Sequence, residues 1–131
     1  MKQIIEKATA VIFVFVFSAT CLLAQVPDSL IKGFKEGNAA VLSSYFNQDI
    51  ELVVLSKDDV FSRAQAREIV ADFFAGYKVK SFTVLHEGGK DDVSYAIGNL
   101  ITDRGIFRVY FLVKKNDSGQ AFIYQLRIEK Q

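Results

Sequence analysis

The stretch FNQDIELVVLSKDDVFSRAQAREIVADFF, residues 46–74, decides the fold. Its first half holds Ile50-Glu51-Leu52-Val53-Val54-Leu55, rich in β-branched and aliphatic residues, which predicts a strand. Ser56-Lys57-Asp58-Asp59 reads as a polar turn, and Val60-Phe61 as a very short returning strand. Ser62 then stands three residues before Gln65, a capping-box pattern in which the Ser and Gln side chains satisfy free N–H groups at a helix start. The helix that follows places Ala66, Ile69, Val70, Phe73, Phe74 and Tyr77 on one side at helical spacing, and Gly76 marks its end.

Upstream, two shorter helices are expected. Pro27 is tolerated in a first turn, Asp28 and Ser29 can cap, and Leu30, Ile31 and Phe34 share a face before Gly37 supplies a stop. Asn38 can cap a second helix whose stripe is Val41, Leu42, Tyr45 and Phe46, broken by Asn47-Gln48-Asp49. Downstream, residues 79–86, 93–102, 106–114 and 121–129 alternate or run apolar as strands. The connections at 87–92, 103–105 and 116–119 are short, so sequential strands lie antiparallel. Asn116-Asp117-Ser118 has the form of a glycosylation sequon and reads here as a hairpin turn.

Helix, helix, strand pair, long helix and four antiparallel strands make an α+β fold, with the helices on one face of the sheet. This order, and above all the segment from Phe46 to Phe74, resembles the nuclear-transport-factor-like and ketosteroid-isomerase-like (SnoaL-like, cystatin-like) superfamily. Within it the chain is similar to a small secreted bacterial family of unknown function. The resemblance runs from about Asp28 to Glu129 and implies a curved antiparallel sheet wrapped around three helices as a cone. Such a fold hosts isomerases, dehydratases, transport adaptors and binding modules alike, so it does not choose among them.

The beginning of the chain points to export. Lys2 and Lys7 precede an apolar run from Ala8 to Leu23, and Ala24 stands before Gln25, the form of a secretory signal peptide. We expect a signal at residues 1–24 and one domain at residues 25–131, periplasmic or extracellular, with no membrane span once the signal is removed. The run is short for a permanent anchor, which needs about 20 apolar residues. Ser18 and Thr20 stand three residues and one residue before Cys21, where lipid attachment wants a Leu-like and a small Gly, Ala or Ser residue. Cys21 then leaves with the signal, and the mature domain has no disulfide and no thiolate.

Half the residues are hydrophobic and 24% charged, enough for a packed core, and twelve Phe with no Trp predict a phenylalanine-rich interior. Removing Lys2, Lys7 and Glu6 leaves equal numbers of basic and acidic side chains. That balance argues against a nucleic-acid partner, which needs a cationic excess. The chain carries no phosphate loop, histidine pair or cysteine pair, so neither a cofactor nor a metal is expected.

Alternation sorts the strands into faces. Phe107, Val109, Phe111 and Val113 share one, and Phe122, Tyr124, Leu126 and Ile128 another that should meet the helices. Val93, Tyr95, Ile97, Asn99 and Ile101 share parity, as do Phe82, Val84 and His86. Inward placement of those sets puts Tyr95, Asn99 and His86 inside, and a bulge would reverse part of this. Tyr45, Tyr95, Asn99 and Tyr124 are the candidate pocket residues of a small-molecule site. Glu51 and His86 are the weak catalytic candidates. The resemblance implies a base near Glu51, but Phe34 stands where a Tyr donor is wanted and residues 106–113 hold no carboxylate, which disfavours isomerase chemistry. The leading reading is a non-catalytic exported domain binding a small apolar or amphipathic ligand in its cone. The first alternative is an interaction or dimerisation module using the outer sheet face around Arg108, Tyr110 and Ile123. An isomerase- or dehydratase-like enzyme comes third.

Overall fold

The computed structural model describes residues 26–131; the expected signal at 1–24, and the export reading that rests on it, lie outside the described residues. Three helices come from the first half of the domain: α1 (Asp28–Glu36), α2 (Ala39–Ser44) and α3 (Arg63–Gly76). Each begins or ends on the residue chemistry that the sequence predicts. Gly37 closes α1 in the left-handed region at φ 62°, where a side chain is disfavoured. Asn38 Oδ1 accepts from Val41 N–H at 3.1 Å to start α2. Ser62 and Gln65 form the reciprocal capping box of α3.

Six strands form one sheet: β1 (Phe46–Val54), β2 (Lys57–Ser62), β3 (Val79–Lys90), β4 (Val93–Thr102), β5 (Gly105–Lys115) and β6 (Ala121–Lys130). Their order across the sheet is β2-β1-β6-β5-β4-β3, so β2 and β3 are the two edges and the curved sheet stays unclosed. All neighbouring pairs are antiparallel except β1 with β6, which run parallel. The sheet is therefore mixed, because β1 enters from the helices in the same sense as the last strand.

Three element boundaries differ from the sequence expectation. Phe46 belongs to β1, not to the stripe of α2, since its pairing with Ile123 recruits the polar residues 47–49 into the strand. β2 begins at Lys57, which contracts the predicted polar turn to Leu55-Ser56. β3 continues through Gly88 and Gly89 to Lys90, because a Cβ at Gly88 would stand 2.7 Å from the Tyr95 ring, a close approach that glycine allows.

The core lies between the helices and the inner sheet face. Phe34 of α1 is fully buried, stacked between Phe82 at 5.0 Å and Phe111 at 5.2 Å. Phe73 of α3 meets Phe107 edge-on at 5.1 Å and stacks on Tyr77 at 4.8 Å. These rings occupy the interior, and their size explains the opposing surface of β4: Ser94, Ala96 and Gly98 face them. A Cβ at Gly98 would stand 2.7 Å from the Phe82 ring and 2.8 Å from the Thr83 carbonyl oxygen.

Candidate functional site

The inner face of β4 is thus the reverse of the expected one. Its register pairs Leu100 with Phe107 and Gly98 with Val109, which puts Tyr95, Ile97 and Asn99 on the outer face. A bulge in β3 and another in β6 shift the parity of further predicted residues. In β3 Leu85 is inserted between Val84 and His86, so Phe82 faces the core while His86 joins Tyr95 outside; His86 Nε2 lies 2.8 Å from Tyr95 Oη. In β6 Tyr124 is the extra residue between Ile123 and Gln125. Ile123 consequently turns inward and is fully buried, so it cannot belong to the exposed surface, and Phe122 pairs with Lys114 instead of facing the helices.

Apart from the His86–Tyr95 pair, the residues singled out from sequence are not gathered by the fold. Tyr124 lies beneath the Lys114 ammonium at 4.6 Å. Asn99 accepts from Arg108 Nε at 3.2 Å. Tyr45, at the end of α2, packs against the core, and its hydroxyl contacts Ser29 Oγ. Glu51 accepts from Gln125 Nε2 at 3.2 Å on the outer face, and His86 stands three strands beyond β6, on β3. Arg127, hydrogen-bonded to Glu129 at 3.1 Å, has its pKa raised above the ordinary value by that bond.

The concavity with an apolar lining lies elsewhere, between the β1–β2 turn and the second half of α3. It encloses about 200 Å³. Val54, Leu55, Ile69, Phe73 and Tyr77 supply its apolar surface, and Ser56, Lys57 and Asp72 its polar atoms. The α3 periodicity already named Ile69, Phe73 and Tyr77; what the sequence did not indicate is that Ile69 and Tyr77 are only half-buried, leaving a hollow beside them. Tyr77 is held in place by Phe73, by Phe107 and by the Arg104 guanidinium, 4.7 Å above its ring. Arg104 in turn donates to the Gly76 carbonyl at 3.1 Å and so closes the end of α3.

Leu55 forms the lip of this cleft. It occupies φ 55° in a two-residue hairpin connection, at the position that glycine ordinarily takes. A leucine in that region costs about 1–2 kcal/mol, and such strain concentrates at functional sites. Its side chain is 46% exposed, while its amide donates to the Ile128 carbonyl at 3.4 Å. A larger groove of about 620 Å³ runs between α2 and α3. Its lining is Ala, Ser, Arg and Glu, with no large apolar side chain to hold a ligand, and Arg63 is already engaged by the Phe46 carbonyl at 2.9 Å.

A helix layer packed on a curved, unclosed sheet, with a cleft at the helix–sheet seam, gives the chain an α+β fold of NTF2-like class. One solved NTF2-like family protein, from Streptomyces avermitilis, superposes with a TM-score of 0.57 at 12% identity, covering 79% of this chain and 88% of that one. Within that class the chain belongs to the domain-of-unknown-function family DUF4783, which it matches over residues 27–129. It is 36% identical to the crystal structure of a DUF4783 protein from Bacteroides uniformis, with a TM-score of 0.76 over 82% of this chain and 98% of that one. The corresponding protein from Bacteroides ovatus is 35% identical, also with a TM-score of 0.76, over 81% and 96% of the two chains. No curated protein matches the sequence.

Proposed function

We propose that this protein is an exported, non-catalytic binding domain whose ligand inserts an apolar group into the cleft between the β1–β2 turn and α3. The observation that carries this reading is the cleft itself: an apolar hollow beside a leucine held at unfavourable φ. Its volume, about 200 Å³, is below the ~300 Å³ at which drug-sized sites begin and suits a single ring or branched aliphatic group. The candidate acid and base of a catalytic reading, Glu51 and His86, sit on separate strands of the outer face, which favours binding over turnover. The test is a screen of small apolar compounds by ligand-observed NMR. Hits that Ile69→Trp, filling the cleft, abolishes are the expected result; hits insensitive to it, or none, remove this reading. Export is checked separately: the processed product should begin at Gln25 by N-terminal sequencing, and a product retaining Met1 or Lys2 would contradict the signal assignment.

A second reading is favoured by one feature of the outer sheet face. There Ile97 pairs with Tyr110 and Tyr95 with Leu112, an apolar centre, while Arg108 pairs with Glu129 and Gln125 with Glu51 around it. An apolar centre with a mixed-charge rim is interface anatomy. Four strands at ~4.8 Å spacing and ten residues at ~3.4 Å give about 650 Å² of outer sheet face, near the ~800 Å² per partner of a stable pair. Self-association through this face predicts a dimer in sedimentation that Tyr110→Glu dissociates. A monomer at millimolar concentration rules it out.

A further inference from the structure

The two charged residues of the cleft define its ligand more closely, an inference that rests on the binding reading above. Lys57 is on the β-hairpin wall and Asp72 on the α3 wall. They line one opening without forming an ion pair: among the described residues the pairs are Lys32–Glu36 and Arg127–Glu129. A mouth with one cation and one anion on facing walls, over an apolar hollow of ring size, is complementary to a molecule with the same layout. We infer that the cleft takes a free apolar α-amino acid: its side chain enters against Ile69, Phe73 and Tyr77, its ammonium faces Asp72, and its carboxylate faces Lys57.

Size and charge both select this class. The hollow of about 200 Å³ accommodates a leucine or phenylalanine side chain, given that a cavity of about 150 Å³ holds one benzene. A lone carboxylate engages only Lys57 and a lone ammonium only Asp72, whereas a zwitterion engages both. Leu55 acts here as a positioning residue. Its backbone is held at φ 55°, which places a large side chain on the lip, against local preference, where Gly or Asn would sit without strain, so that it covers the bound side chain.

The experiment is calorimetric titration of the purified protein with L-phenylalanine and L-leucine, alongside phenylalaninamide, which lacks the carboxylate, and 3-phenylpropanoate, which lacks the ammonium. Both amino acids should bind with dissociation constants on the order of a millimolar, as a dozen non-hydrogen atoms in a shallow site allow. Each truncated probe should bind about three- to tenfold more weakly, the range for a solvent-exposed charge pair. Asp72→Asn should erase the preference for phenylalanine over phenylpropanoate, and Lys57→Met the preference over the amide. Both residues are exposed, so the fold is kept. Leu55→Asn should raise Tm by a few degrees and weaken amino-acid binding by a similar three- to tenfold. If the two truncated probes bind as tightly as phenylalanine, the amino-acid assignment falls while the apolar cleft stands. If none binds, and neutral p-cresol does not bind either, the cleft is no site and both readings fall together.

Discussion

Two regions of the interior were built from the same kind of residue and ended differently. Around Phe34, rings from α1, β3 and β5 stack at 5.0 and 5.2 Å, and the facing strand shrinks to Ser94, Ala96 and Gly98 to admit them. Around Ile69 and Tyr77 the apolar surface of α3 meets the β1–β2 hairpin, and about 200 Å³ is left uncovered. Where three elements contribute rings the space closes. On the side of Ile69 and Tyr77 that faces the β1–β2 turn, no further ring fills the gap, so the same hydrophobic pattern makes a cleft instead of a core.

That contrast is open to direct attack. Phe34→Ala removes a fully buried ring and should destabilise the domain by about 3–5 kcal/mol, read as a drop in the urea midpoint large enough to leave the protein partly unfolded. A loss below about 1 kcal/mol would mean that the stack is not close-packed. Gly98→Ala puts a methyl 2.7 Å from the Phe82 ring; overpacking there should cost about 1–3 kcal/mol, seen by thermal melting. A neutral outcome would show that the ring has room to retreat. Ser62→Ala deletes the cap that starts α3 and with it the anchoring of one cleft wall, for a loss of about 1 kcal/mol, or roughly 4–8 °C in Tm. The smallest effect should be Ile69→Val in the cleft wall, about 0.5 kcal/mol, because this residue is only partly buried. An Ile69→Val loss well above 1 kcal/mol would erase the distinction between the two regions.

Much of the fold was legible in the chain before any coordinates. The Ser62–Gln65 capping box, the Asn38 cap, the Gly37 stop and the α3 stripe all appear where expected, because each depends on residues three or four apart. The candidate site was not legible. Tyr95, Asn99 and Tyr124 were read as pocket residues and stand on the outer face or in a bulge, while Leu55 and Lys57, which line the cleft, were read as strand end and turn. A single inserted residue at Leu85 or Tyr124 flips the parity of its own strand; β4 carries no such slip against β5, and its small residues Ser94, Ala96 and Gly98 turn inward because the rings need the space.

The sequence by itself determined the helices, the strands, their order and the phenylalanine-rich core, since capping and periodicity act over a few neighbouring residues. Tertiary structure alone decided which side of β4 faces inward, that β1 runs parallel to β6, that Ile123 is buried, and that a cleft remains beside Leu55. Those outcomes depend on how rings from distant elements share one volume and on where the ladder slips, and such non-local packing has no signature in any short stretch of the chain.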